Sequence, residues 1–296
     1  ALDRARELDM GNPATQRASA VAHALQNDLA AAEDQLRLAD PASPDSLAAA
    51  GLVASLKGDN AVAGEKLRDA LAGKTSIEDE SLTRLGLLLV EQGNYGEALT
   101  RLDEAARKNP ANDTARYFHA LCMDRQHLTA QALSEYDSLA GKNGPYQSRA
   151  GVQAARLHLA QQNPDRALQI IGQIPPPTLP ADVAELETVR GRANMMLNDP
   201  DTAQAAFRKA AQADPSYGPA HLEIGLLLVQ RQDISEGVRE LERYLKLADE
   251  SAPDAGVAQV KTLVDQLRRS VESGGTVGMN RTAVEPDDRT NERGVS

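Results

Sequence analysis

Few residues in this chain are spaced for chemistry. Ala72-Gly73-Lys74-Thr75 ends like a phosphate-binding loop, in which a glycine-rich turn and a lysine cradle phosphate oxygens. The glycine such a loop needs five residues before Gly73 is Arg68, and the preceding pattern is helical rather than strand-like. The segment reads as the end of a helix. His23, His119, His127, His158 and His221 are scattered, and no two have metal-ligand spacing with a supporting cysteine or carboxylate. Cys122 is the only cysteine, so an intramolecular disulfide is excluded, and it is expected to be a buried, inert thiol. There is no nucleophile elbow and no GxGxxG. The 43 acidic residues fall mostly on solvent faces at helical spacing, with no pair singled out. The sequence therefore predicts no enzyme, no cofactor and no metal.

The elements that carry these residues are set by a repeat of about 34 residues. Its clearest copy is SLTRLGLLLVEQGNYGEALTRLDEAARKNP, Ser81 to Pro110. Apolar residues at helical spacing run to Gly93-Asn94, a second helical stretch runs from Gly96 to Lys108, and Asn109-Pro110 stops it. With Asp79 as position 1, Gly86 at position 8 and Ala98 at position 20 let two helices approach, and Leu102 and Ala105 fill the seam. Copies begin near Pro13, Pro44, Asp79, Asp113, Ser148, Ala184 and Gly218. Position 8 then reads Ala20, Gly51, Gly86, Ala120, Ala155, Gly191, Gly225, and position 24 reads Leu36, Leu67, Leu102, Tyr136, Ile171, Phe207, Leu241.

These columns make the chain resemble the tetratricopeptide repeat family from about residue 1 to 251. The resemblance implies an all-α fold, an α–α superhelix of about seven helix-turn-helix repeats. We expect residues 1–12 to be the end of a truncated repeat, because Leu2, Ala5 and Leu8 fit positions 24, 27 and 30. Residues 13–251 would hold the seven repeats, 252–272 a capping helix with Val257, Val260, Leu263, Val264 and Leu267 as its apolar stripe, and 273–296 a disordered tail. Pro175 to Pro180 is expected to be an irregular linker. Position 4, often large in the family, departs from that pattern as Gln16, Arg116, Gly151, Glu187 and His221.

A formal net charge of −11 argues against general affinity for nucleic acid or anionic membranes, which need a basic face. No apolar run approaches the ~18 residues of a membrane span. Arginine and alanine usage suggests a bacterial protein. The compartment is expected to be cytoplasmic or periplasmic, with any targeting segment upstream of Ala1. Oligomeric state is not legible.

The resemblance implies that first helices line a groove, with positions 2, 5, 9, 12 and 13 facing a ligand. Carried over, these give a peptide-binding set of Tyr117, Arg125, Arg149, Arg156, Arg192, Met195 and Met196. Arginine suits bidentate capture of a carboxylate, and methionine adapts to apolar side chains. The expected partner is a protein or peptide, an acidic or C-terminal segment in particular. The competing expectation is that these arginines pair with neighbours such as Asp124 and Glu185. Chaperone-binding members carry an asparagine at position 9; here that row reads Val21, Leu52, Leu87, Leu121, Arg156, Arg192, Leu226, which argues against that subtype. The functional expectation is a protein-interaction scaffold. Its alternatives are an envelope-associated assembly factor for a pilus, secretion or exopolysaccharide machine, and an accessory array of a larger enzyme or kinase.

Overall fold

The computed structural model describes residues 13–26, 28–249 and 255–273, which form helices and short turns with no strand. In chain order the helices pair as α1 (Pro13–Leu25) with α2 (Leu29–Arg37), α3 (Pro44–Leu56) with α4 (Asn60–Ala72), and α5 (Glu78–Glu91) with α6 (Tyr95–Lys108). Next come α7 (Asp113–Arg125) with α8 (Thr129–Ala140), α9 (Gln147–Ala160) with α10 (Pro164–Gln173), α11 (Pro180–Met196) with α12 (Pro200–Ala213), and α13 (Gly218–Gln230) with α14 (Ile234–Asp249). A single helix, α15 (Ala255–Ser273), follows. The expected half-repeat over 1–12 lies outside the described residues, as does the expected tail beyond Ser273. Two compact units divide between Glu135 and Tyr136, inside α8.

One turn, used repeatedly, joins the two helices of a pair. Position 15 takes a left-handed backbone at Gly58, Gly93, His127, Gln162, Asn198 and Gln232, with φ of 82°, 73°, 62°, 61°, 59° and 68°. The amide at position 16 then donates to the carbonyl at position 11 in all seven copies, from Asp28 to His23 through Asp233 to Leu228. This is the Schellman closure, which satisfies carbonyls left open at a helix end. The same position-16 residue caps the next helix. Asp28, Asn94, Asn163 and Asp199 each accept from the amide three residues on. Leu128 occupies that place in the fourth copy and is 40% exposed.

The small-and-large columns meet as the sequence implies. A Cβ at Gly51 would lie 2.7 Å from Leu67 Cγ, one at Gly86 2.5 Å from Leu102 Cγ, and one at Gly225 2.7 Å from Leu241 Cγ. At Gly191 it would run into the Phe207 ring. Each is closer than carbon atoms tolerate, so position 8 must be bare wherever position 24 leans across this far.

The position-4 departures also acquire a physical account. Arg116 donates to Glu135 at 3.3 Å, and Glu187 receives Lys209 at 2.6 Å and Arg190 at 3.3 Å. His221 meets Glu240 at 2.7 Å and the Pro215 carbonyl at 3.0 Å. Each ties a first helix to the second helix of its own pair by a polar contact rather than by bulk. Gly151 leaves the space that Ile174 fills, where an added Cβ would sit 2.5 Å from Ile174 Cγ2.

The proline-rich stretch is irregular from Ile174 to Leu179, as expected, but Pro180 belongs to α11. Proline at the first helical position gives up no needed amide, and Leu179 before it is extended at ψ 135°. The sixth pair therefore starts four residues before the Ala184 that the repeat alignment suggests.

Candidate partner-binding face

Within each unit, consecutive first helices stand against one another: α1 with α3, α3 with α5 and α5 with α7 in the first, and α9 with α11 and α11 with α13 in the second. Residues at equivalent positions of these helices share a face. The structure distributes the expected site residues unevenly over it.

In the first unit, Tyr117 is buried, with 5% of its surface exposed, and meets Phe118 edge-on at 5.2 Å. Its ring has almost no surface left for a ligand, so the expected role in holding apolar side chains is corrected. The same α7 face carries Arg125, half-buried, with its guanidinium 5.7 Å from the centre of the Tyr95 ring on α6. That is a cation–π contact with the preceding pair.

In the second unit, the three arginines are already engaged. Arg149 on α9 reaches Asp182 on α11 at 3.0 Å. Arg156 donates to Gln153 at 2.9 Å, and Gln153 in turn donates to Glu185 on α11 at 2.8 Å. Arg192 on α11 reaches the buried Glu223 on α13 at 2.7 Å. A polar ladder thus runs from α9 to α11 and from α11 to α13, with Asp182 and Glu223 as carboxylates beyond the Asp124 and Glu185 named from the sequence. Arg149 and Arg192 are each matched by a carboxylate, so the expected strip does not present them as free charges.

Met195 and Met196, adjacent in sequence, part company. Met195 is half-buried against Phe207, Ile224, Leu227 and Leu228, whereas Met196 is 38% exposed beside Leu197 at 41%. Leu222, Leu226 and Val229, at positions 5, 9 and 12 of the seventh copy, are buried with Val257, Val260, Val264 and Leu267 of α15. The capping helix packs on α14 and shares this core.

Among the remaining groups, Cys122 is fully buried, and burial pushes its thiol up to about 12, which suits an inert side chain. Asp45, at the start of α3, accepts from the Ser76 amide at 2.6 Å and from the Thr75 and Ser76 hydroxyls at 2.9 Å. These bonds, the backbone amide first, hold its carboxyl below the usual range. No cluster of three metal-ligating side chains occurs among the described residues. No described helix is long and apolar enough to cross a membrane. The sequence missed the ladder carboxylates Asp182 and Glu223, which lie 33 and 31 residues beyond their arginines.

Comparison with known proteins agrees with this architecture. The family model described as tetratricopeptide repeat matches residues 83–148 and 188–255. No curated protein matches the sequence. A tetratricopeptide repeat protein from Parabacteroides merdae is similar in structure, with a TM-score of 0.60 and 19% identity over 81% of this chain and 94% of that one. Pseudomonas aeruginosa pilF is similar at a TM-score of 0.58 and 23% identity, over 70% and 96% of the two chains. PilW, titled a widely conserved type IV pilus biogenesis factor, is similar at 0.56 and 13% identity, over 66% and 88%.

Proposed function

Because this chain belongs to the tetratricopeptide repeat family, we propose that it is a protein-interaction scaffold that holds a peptide or partner segment along the faces of its first helices. The observation that carries the reading is the side-by-side contact of consecutive first helices within each unit, which sets equivalent side chains in a row. A row of that kind can address successive residues of one extended or helical segment. An acidic partner is the form that Arg149, Arg156 and Arg192 would favour, but its carboxylates would have to replace Asp182 and Glu223 in existing ion pairs.

The test is a peptide array probed with the full chain, repeated with variants on the two kinds of helix. Substitutions on first helices, such as Arg156→Ala with Met196→Ser, should weaken capture. Substitutions on a second helix, such as Arg101→Ala with Glu104→Ala, should leave it intact. The reverse pattern sinks the reading. The envelope-assembly version is narrower; the likeness to pilF and PilW, at 23% and 13% identity, supports the shared fold and leaves the role to be tested.

A further inference from the structure

The first-helix face changes chemistry between the two units, and the change points to a partner. At position 9 the first unit carries Val21, Leu52, Leu87 and Leu121, where the second carries Arg156, Arg192 and the buried Leu226. Leu87 and Leu121 are floor, 9% and 4% exposed, but Val21 and Leu52 are only half-buried. One turn further on, Leu56 is 37% exposed and Val90 half-buried. These apolar side chains lie on α1, α3, α5 and α7, which touch in that order.

Acid predominates on α5, while Arg17 of α1 is matched by Asp45 and Arg125 of α7 lies over the Tyr95 ring. Helix α5 bears Glu78, Asp79, Glu80 and Glu91 against a single Arg84. Glu91 is exposed at the C-terminal end of the helix and is met by the neutral Asn60 amide at 2.9 Å. The Asp79–Glu80 carboxyl pair sits at the other end of α5, with Glu80 exposed. In the second unit a carboxylate arriving at Arg149 or Arg192 trades one ion pair for another. An apolar side chain laid on Leu52, Leu56 and Val90 takes surface out of water, and a cation beside Glu91 displaces no charged partner. The net charge of −11 steers cationic segments toward the chain.

We propose that the first-helix face of the first unit takes an amphipathic partner segment, apolar on the side laid against Leu52, Leu56 and Val90 and basic where it passes Glu91 and the Asp79–Glu80 pair. This rests on the scaffold reading above and names the partner's chemistry. The full chain is titrated into three labelled synthetic peptides of equal length: one built of Leu and Lys, one of Leu and Glu, and one of Ser and Lys. The Leu/Lys peptide should bind at least about tenfold more tightly than either other. Leu52→Gln with Val90→Gln should weaken it about tenfold, whereas the second-helix control Arg101→Ala with Glu104→Ala should leave it within about twofold. If the double glutamine variant loses helix content, Leu56→Ser, at an already exposed site, and Glu91→Lys carry the same test. Tighter binding of Leu/Glu, lost with Arg156→Ala and Arg192→Ala, overturns this proposal and leaves the scaffold reading standing. Equal binding of Ser/Lys and Leu/Lys overturns it as bare charge attraction, and no binding by any of the three overturns it outright.

Discussion

Asp45 shows how much one side chain can do between repeats. It stands at the start of α3 yet fixes residues 75 and 76, ahead of α5, and receives Arg17 from α1 at 3.4 Å. Its carboxyl is held down in the folded chain, so its contribution is present above the unfolded value of about 3.9 and is lost as pH falls through the folded one. Asp45→Ala should cost about 0.5–1.5 kcal/mol at pH 7, and the gap to the parent should narrow as pH drops below about 3.9. Melting curves at pH 7 and pH 3 check this; an equal gap at both would place the effect elsewhere. At this scale the sequence was legible where a residue type has one job. Gly86 and Leu102 could be paired from spacing alone, because only a missing side chain admits a leaning leucine. The partners of Arg149 and Arg192 could not, because an arginine reaches acids on several neighbouring turns and spacing does not choose among them.

At the scale of elements, the repeated turn explains both what the sequence revealed and what it hid. Gly58 and Gly93 announce a left-handed residue, but His127, Gln162, Asn198 and Gln232 adopt the same conformation without that signal. The hydrogen bond from position 16 to position 11 holds them there whatever the side chain. Gln162→Gly should therefore stabilise the chain, by about 1 kcal/mol. Leu128→Asp should do the same by about 1 kcal/mol, since it restores the cap that four other copies show. Thermal denaturation of the two variants separates turn strain from capping, and a fall in melting temperature for Leu128→Asp would mean that the exposed leucine has a contact of its own. Packing between helices gives the opposite sign. Gly86→Leu must push Leu102 aside and should cost about 1–3 kcal/mol.

Over the whole molecule, the array pattern was readable because every copy poses the same packing problem and solves it with the same residue sizes. The start of α11 escaped it, because Pro180 can open a helix as readily as it can end a loop, and the family spacing put the boundary at Ala184. The face that meets a partner was less legible still. Position alone identified which residues could point toward a ligand, but burial decides which do, and burial depends on neighbours such as α15 that lie outside the repeat. One earlier feature gives the intact chain a built-in clock. Cys122 is the sole thiol and is sealed inside α7. An alkylating reagent can reach it only when that part of the chain opens. The rate of modification under native conditions therefore counts openings at the middle of the chain, with no label added, and any ligand that braces the first unit should slow it in proportion to its occupancy.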